Sequence, residues 1–239
     1  MPIRLNINCD LGEGGQNDAA LMPYIQSCNI ACGGHYGDEN SIRAAILLAK
    51  KYGVRIGAHP SYPDKENFGR KIIQISNQDL KASLIDQITL FQEICNTENI
   101  PMHHLKLHGA LYNQAAKNEA LAQLILGVID ELEMDAFLYV PAFSVLEKMA
   151  KNKVQTKVEA FIDRTYQDDY TLTPRTQERA LITQPEEAWN QLREMHFSNT
   201  LKTVSGKTLS MKADTYCIHG DSPEALTTLR YIQNELANA

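Results

Sequence analysis

Asn40-Ser41-Ile42-Arg43-Ala44-Ala45-Ile46-Leu47-Leu48-Ala49-Lys50-Lys51-Tyr52-Gly53-Val54-Arg55-Ile56-Gly57-Ala58-His59-Pro60 contains the unit from which the chain is built. Apolar residues at helical spacing run to Tyr52, and Gly53 closes that helix. The run Arg55–His59 then reads as a short strand that ends on a histidine and is stopped by Pro60. Working outward, the same order of short apolar run, polar or glycine-rich loop and amphipathic helix recurs along the chain. The expected strands are Arg4–Asn8, Ser27–Ala31, Arg55–His59, His104–His108, Ala136–Val140, Lys157–Ile162 and Thr215–His219. The expected helices are Asn40–Tyr52, Gln78–Thr97, Glu119–Glu133, Ala142–Lys153, Pro185–His196 and Pro223–Ala237. Thr183-Gln184-Pro185-Glu186 reads as a capping box, and Ser222-Pro223 as an N-cap followed by proline at the first helical position. Leu201–Met211 reads as a hairpin around Ser205-Gly206, inserted before the last strand. No linker, repeat or low-complexity block divides the chain, so residues 1–239 are expected to form one parallel α/β domain. Seven strands suit a closed or nearly closed β/α barrel, with a doubly wound sheet as the alternative.

Composition excludes whole classes of function. The chain has 239 residues, 44% hydrophobic and 22% charged, which is ordinary for a globular protein and rules out disordered or fibrous types. The longest apolar runs, such as Ala44–Ala49, fall far short of the roughly 18 residues that span a bilayer. The opening Met1-Pro2-Ile3-Arg4-Leu5-Asn6 alternates and builds no signal-peptide core, so a cytoplasmic protein is expected, with no membrane as partner. A net charge of −6 with scattered basic residues argues against a nucleic-acid partner. The cysteines Cys9, Cys28, Cys32, Cys95 and Cys217 form no C-x-x-C or zinc-finger spacing and are expected to be reduced and mostly buried.

Chemistry gathers at the C-terminal ends of the expected strands. Asn6, Asn8, Asp10 and Glu13 follow the first; Asn29, His35 and Asp38 the second; His59 closes the third. Lys106 and His108 precede Gly109, Glu159 leads to Asp163 and Arg164, and His219-Gly220-Asp221 ends the last. In parallel α/β folds these ends open onto one face, so the clusters are expected to converge on a pocket. Any one histidine alone reads as a hydrogen-bonded structural residue. Four in the same context (His35, His59, His108 and His219) read as a site. His103, His104 and His196 lack that context and are expected to be packing or surface residues. Asp10 and Asp163 have the competing reading of caps, and Arg70 and Arg164 that of surface ion pairs. Lys106 alternates with Leu105 and Leu107, so it points inward if the leucines point out, and an inward lysine needs a partner or an anion. Gly12-Glu13-Gly14-Gly15-Gln16-Asn17 lacks the third glycine of a dinucleotide fingerprint, and Ser205-Gly206-Lys207-Thr208 lacks the upstream glycine of a P-loop. H-E-x-x-H and G-x-S-x-G are absent too. Trp189, beside Leu192 on an expected helix, reads as core or interface.

Taken together, these motifs resemble the LamB/YcsF family. The matching stretches are Asn8-Cys9-Asp10-Leu11-Gly12-Glu13; Ser27–His35 with Gly37-Asp38; Ile56–Asp64 with Phe68-Gly69-Arg70; Lys106–Asn113; Asp163-Arg164 with Tyr166; Pro174-Arg175; and His219-Gly220-Asp221. They appear in family order over essentially the whole chain. Differences from the family pattern fall at Gly14–Asn17, Gly34, Tyr36, Ser61 and Leu107. The resemblance implies a seven-stranded β/α barrel akin to the carbohydrate deacetylases. It also implies ATP-dependent opening of the 5-oxoproline (pyroglutamate) lactam to L-glutamate. ATP would be bound and used through two further 5-oxoprolinase subunits, of B and C type, in keeping with the missing P-loop. Self-association of the chain is compatible with this.

Under that reading Asp10, His59, His108, Lys106 and Asp163 form the catalytic set. Asp10 with His59 or His108 would serve water and the leaving nitrogen as acid–base groups. Lys106 and Arg164 would hold a carboxylate or an acyl-phosphate-like oxygen. Asn8, Glu13, Asn29, His35, Asp38, Arg70, Arg164, His219 and Asp221 complete the substrate-binding set. A competing reading is a stand-alone metal-dependent deacetylase or amidohydrolase, with a divalent metal drawn from Asp10, His35, His59 and His108. A third is a binding or scaffold subunit that keeps the pocket without catalysis.

Overall fold

Period-2 alternation sets the inside and outside of the first strand, with Asn8 and Asp10 turned into the fold and Cys9 and Leu11 turned toward the helices. The computed structural model describes residues 5–238. In chain order the elements are β1 (Ile7–Leu11), α1 (Asp18–Leu21) with a 3-10 turn at Met22–Tyr24, β2 (Ser27–Ala31), α2 (Glu39–Tyr52), β3 (Arg55–His59) and α3 (Asn77–Glu98). Then come β4 (His104–Leu105), α4 (Gly109–Ala115), α5 (Glu119–Glu131), β5 (Phe137–Pro141), α6 (Val145–Ala150) and β6 (Thr156–Phe161). α7 (Pro185–Arg193) runs into a π-helical turn at Glu194–Ser198, and β7 (Thr200–Lys202), β8 (Thr208–Ser210), β9 (Thr215–His219) and α8 (Ala225–Ala237) finish the chain.

Seven parallel strands close into a barrel in the order β1-β2-β3-β4-β5-β6-β9, which removes the doubly wound alternative. Closure comes from β9 lying against β1, with His219 beside Asp10; on its other edge Asp10 faces Asn29 of β2. The antiparallel pair β7–β8 is the expected hairpin, with Leu201 opposite Leu209. Between strands and helices lies the main core. Ile42 and Ile46 of α2, Leu84, Ile88 and Phe91 of α3, and Trp189 and Leu192 of α7 are all buried. Each fully buried side chain of this size contributes about 1.5–3 kcal/mol. All five cysteines are buried and unbridged. Among the described residues no helix is long and apolar enough to cross a membrane.

Several boundaries differ from the sequence reading, each for a local reason. β1 lies further along than Arg4–Asn8, because the inward alternation continues through Asp10; Arg4 itself is outside the described residues. β4 is only His104–Leu105: beyond it Lys106 N–H still bonds to the Ala58 carbonyl and His108 N–H to that of Pro60, but the ladder has ended. α6 begins at Val145 because Phe143 has φ +58°, and Ser144 caps the helix by accepting the Glu147 N–H. Gln184, not Thr183, occupies the N-cap position of α7, and no side-chain cap forms there. Ser222-Pro223 lies in a turn before α8, whose N-cap position is Glu224.

The lower barrel interior is polar and extensively hydrogen-bonded. Asn29 Nδ2 donates to Asn8 Oδ1 and to Asp10 Oδ1, both at 2.7 Å, and Asn8 Nδ2 donates to Thr215 Oγ1 at 2.8 Å. Asn29 Oδ1 therefore accepts, and His104 Nε2–H donates to it at 2.7 Å. The His104 ring stacks on Tyr139 with centroids 4.0 Å apart. Gly57 makes room for it, since a Cβ there would lie 2.3 Å from the ring. His104 is thus a packing residue, as expected from sequence, and it braces the strand that carries Asp10.

Candidate active site

Above that layer a cavity of about 870 Å³ opens at the C-terminal ends of the strands. Asp10, Glu13, His59, Arg70, Lys106, His108, Arg164 and His219 line it, from elements spread around the barrel. Lys106 Nζ lies at the centre of the floor, 2.8 Å from Asp10 Oδ1, 3.1 Å from Glu159 Oε1 and 3.0 Å from Cys217 Sγ. Burial works against the charged ammonium, but Asp10, Cys217 and Glu159 outweigh it and hold its pKa well above the ordinary lysine value. Burial likewise works against the Asp10 carboxylate, and His59 and Lys106 outweigh it, keeping Asp10 well below the usual range.

Beside this pair stands a group of imidazoles. His59 Nδ1 lies 2.8 Å from the Lys106 carbonyl, which can only accept, so Nδ1 carries the proton and Nε2 faces the cavity bare in the neutral ring. His108 Nε2 lies 3.0 Å from the Phe68 carbonyl, so its bare nitrogen is Nδ1. These two nitrogens are 3.0 Å apart. Asp10 Oδ2 is 3.5 Å from His59 Nε2, and Glu13 Oε1 is 3.3 Å from His108 Nδ1. Facing lone pairs repel, so this arrangement is poised to take up a proton or a cation between them. Burial, then His59 and His35, push His108 well below the ordinary histidine range. Burial, followed by Asp10, raises Glu13 well above that of an ordinary carboxyl. His35 stacks on His108 at 3.7 Å with Nε2 2.9 Å from Glu13 Oε1, and burial with neighbouring His59 lowers its pKa to about 3. Gly109 follows His108 with φ +54°, where a Cβ would lie 2.6 Å from the Gly69 carbonyl oxygen.

The remaining residues take supporting places. Asp163 accepts both the N–H of His219 and its Nδ1–H, each at 2.8 Å, and these bonds with the His219 charge outweigh burial to keep Asp163 below its ordinary value. Arg164 spends Nε on the Ala180 carbonyl and Nη2 on that of Thr173, while the side chain still lines the cavity. Burial and nearby Arg175 lower its pKa to about 10. Arg70 packs over Phe68 and pairs with Asp221 at the rim. Asn8 and Asn29 lie beneath the cavity in the hydrogen-bonded layer. Asp38 is not brought to the cavity: it is exposed and caps α2, accepting the Ser41 N–H at 2.9 Å.

Among the cavity residues without an assigned role in the sequence reading are Glu159 and Tyr112. Glu159 stood among the strand-end residues, and alternation from Phe161 was the one signal that it faces inward. Tyr112 lay inside the Lys106–Asn113 motif without any polar pattern to single it out.

Comparison with known proteins agrees with this architecture. A Histophilus somni (strain 129Pt) protein named as the A-type subunit of 5-oxoprolinase is 41% identical, covering 98% of this chain and 95% of its own length. A protein of the same name from Neisseria meningitidis serogroup C (strain 053442) is 40% identical, covering 99% and 97%. The crystal structure of the lactam utilization protein from Thermus thermophilus superposes with a TM-score of 0.91 at 32% identity, covering 99% of this chain and 97% of that one. The LamB/YcsF family matches residues 5–239, so the chain belongs to the LamB/YcsF family.

Proposed function

We propose that this chain is the lactam-opening subunit of an ATP-dependent 5-oxoprolinase, cleaving the ring C–N bond of 5-oxoproline to give L-glutamate. The observation that carries the reading is the meeting of Asp10, Lys106, His59 and His108 at one cavity floor, in a chain 41% identical to a protein of that name. A five-membered lactam is a poor electrophile, and coupling to ATP offers a way around that. No P-loop occurs in this sequence, so the nucleotide is assigned to partner subunits of B and C type.

The residues suggest a division of labour. His59 Nε2 and His108 Nδ1, bare and adjacent, take a proton from the attacking water and return it to the ring nitrogen as the C–N bond breaks. Positioned acid–base groups of this kind contribute typically about 10²–10⁴-fold. Asp10 stabilises the His59 ring when it carries the proton and shares the field of Lys106. Arg164 and the rim residue Arg70 supply positive charge for the substrate carboxylate.

A second reading follows from the facing lone pairs. Asp10, His59 and His108 each offer a ligand atom within 4.8 Å of the others, as do Glu13, His35 and His108, and either trio suits a divalent cation. When bound there, such an ion would lower the pKa of water and polarise a carbonyl.

The test is glutamate release from 5-oxoproline by the chain mixed with its partner subunits, with and without ATP. Asp10→Asn and His108→Ala should each reduce the rate by about 10²-fold or more. Full activity in either variant would remove the assignment.

A further inference from the structure

The cavity floor contains two buried polar groups left without a hydrogen-bond partner among the described residues: the carboxylate of Glu159 and the hydroxyl of Tyr112. Glu159 is 2% exposed and Tyr112 5%, yet both line the cavity. A buried carboxylate that accepts no hydrogen bond is costly, and an orphan of this kind marks a place where a donor belongs. Lys106 Nζ stands 3.1 Å from Oε1 as an ion-pair partner, so the charge of Glu159 is already balanced on that side. The Tyr112 hydroxyl is a neutral donor beside it, and of a carboxylate's roughly four lone-pair sites these two neighbours leave room for a further donor. Phe161, two residues on along β6, forms an apolar wall: its ring lies 5.8 Å from that of Tyr112 and 5.4 Å from that of His219.

We propose that Glu159, supported by the Tyr112 hydroxyl, recognises the ring N–H of the substrate and so selects a cyclic amide over the corresponding cyclic ester. This rests on the lactam reading above and adds the specificity-determining group to it. Glu159 accepts the N–H while Phe161 flanks the ring. As the ring nitrogen takes the proton returned to it and the C–N bond breaks, its electron pair staying on nitrogen, the amine that forms is protonated to an ammonium and its attraction to the carboxylate grows, so part of the interaction is realised only on the way to product. Burial, with Glu159 next to it, holds the Tyr112 hydroxyl in its protonated form, able to donate to the carboxylate or to the ligand.

Glu159→Gln makes the idea testable. The ammonium of Lys106 attracts the amide oxygen, which turns the NH₂ toward the cavity, where it opposes a ring N–H and suits a ring oxygen. The experiment compares kcat/KM for 5-oxoproline and for its lactone analogue, in which oxygen replaces the ring nitrogen, using the complete complex and subtracting spontaneous hydrolysis. Any preference imposed by the partner subunits is common to wild type and variant and cancels in the ratio. Wild type should favour the lactam, and Glu159→Gln should reduce the lactam-to-lactone ratio roughly 100-fold. Tyr112→Phe, which removes one hydroxyl and keeps the packing, should shift it in the same direction by roughly 3- to 10-fold, and it carries the test if the Gln variant fails to fold. An unchanged ratio in a folded variant overturns the role of Glu159 and leaves the lactam reading intact. A wild-type complex that releases no glutamate from 5-oxoproline overturns both.

Discussion

Lys106 ties stability to the site through one buried ammonium. Its Nζ is shared between Asp10 and Glu159, both buried, and among the described residues neither carboxylate has another cationic side chain at ion-pairing distance save the imidazole of His59 beside Asp10. Removing one partner of a buried ion pair leaves the other charge uncompensated, which costs about 3–5 kcal/mol. Lys106→Met, close in volume, should therefore destabilise the fold by roughly that amount near neutral pH, read from urea unfolding. The pH dependence has a definite sign. Asp10 is held below its unfolded value in the native protein, so its contribution is complete above about pH 4 and fades as the pH falls through the native pKa. The gap between wild type and Lys106→Met should thus be widest above about pH 5 and narrow in acid, where the stranded Asp10 carboxyl becomes neutral. A gap that stayed constant down to about pH 3 would mean that the loss comes from packing alone.

At the scale of elements, two glycines separate the requirements of the fold from those of the site. Gly53 closes α2 with φ +67° and nothing within 4 Å of an added Cβ, whereas Gly109 opens α4 with φ +54° against the Gly69 carbonyl. Gly53→Ala should cost about 1–2 kcal/mol for the left-handed backbone and leave turnover unchanged. Gly109→Ala adds an overpacking cost of about 1–3 kcal/mol and displaces His108, its neighbour in sequence, so activity should fall with stability. Thermal melts alongside glutamate release distinguish the two, and equal behaviour would contradict the tight packing at Gly109. The same elements explain what was legible in advance. Ser27–Ala31, Arg55–His59 and Thr215–His219 have the expected bounds because short apolar runs with stop residues on their flanks need no tertiary information. α1 and α4 went unread because helices of four and seven residues show too little periodicity. The start of α6 was misread because nothing in Ala142-Phe143-Ser144 announces that a phenylalanine will adopt positive φ.

The whole molecule places its polar residues by strand position, and that was the part of the site a sequence could reveal. Asp10, His59, Lys106, His108 and His219 all close or follow barrel strands, and parallel topology alone predicts that they converge. Which of them turn inward, which act from beneath and which merely cap a helix is decided by register and loop path, so Asp38, Asn8 and Asn29 could not be sorted beforehand. The unsatisfied Glu159 is a still more distant property, set by strands that are far apart in sequence. Apart from α4, which brings Tyr112 to the cavity, the same architecture keeps the cavity's ionisable groups on strand ends and loops rather than on the outer helices. Catalysis and assembly should then be separable: His108→Ala should lose glutamate release while binding its partner subunits within about threefold of wild type, because the substitution is confined to a buried ring at the strand ends and general acid–base loss acts on rate. Co-purification and titration of the partners against the variant would measure this. A variant that lost partner binding and activity together would instead make the cavity part of the assembly surface, and would favour a scaffold over a catalyst.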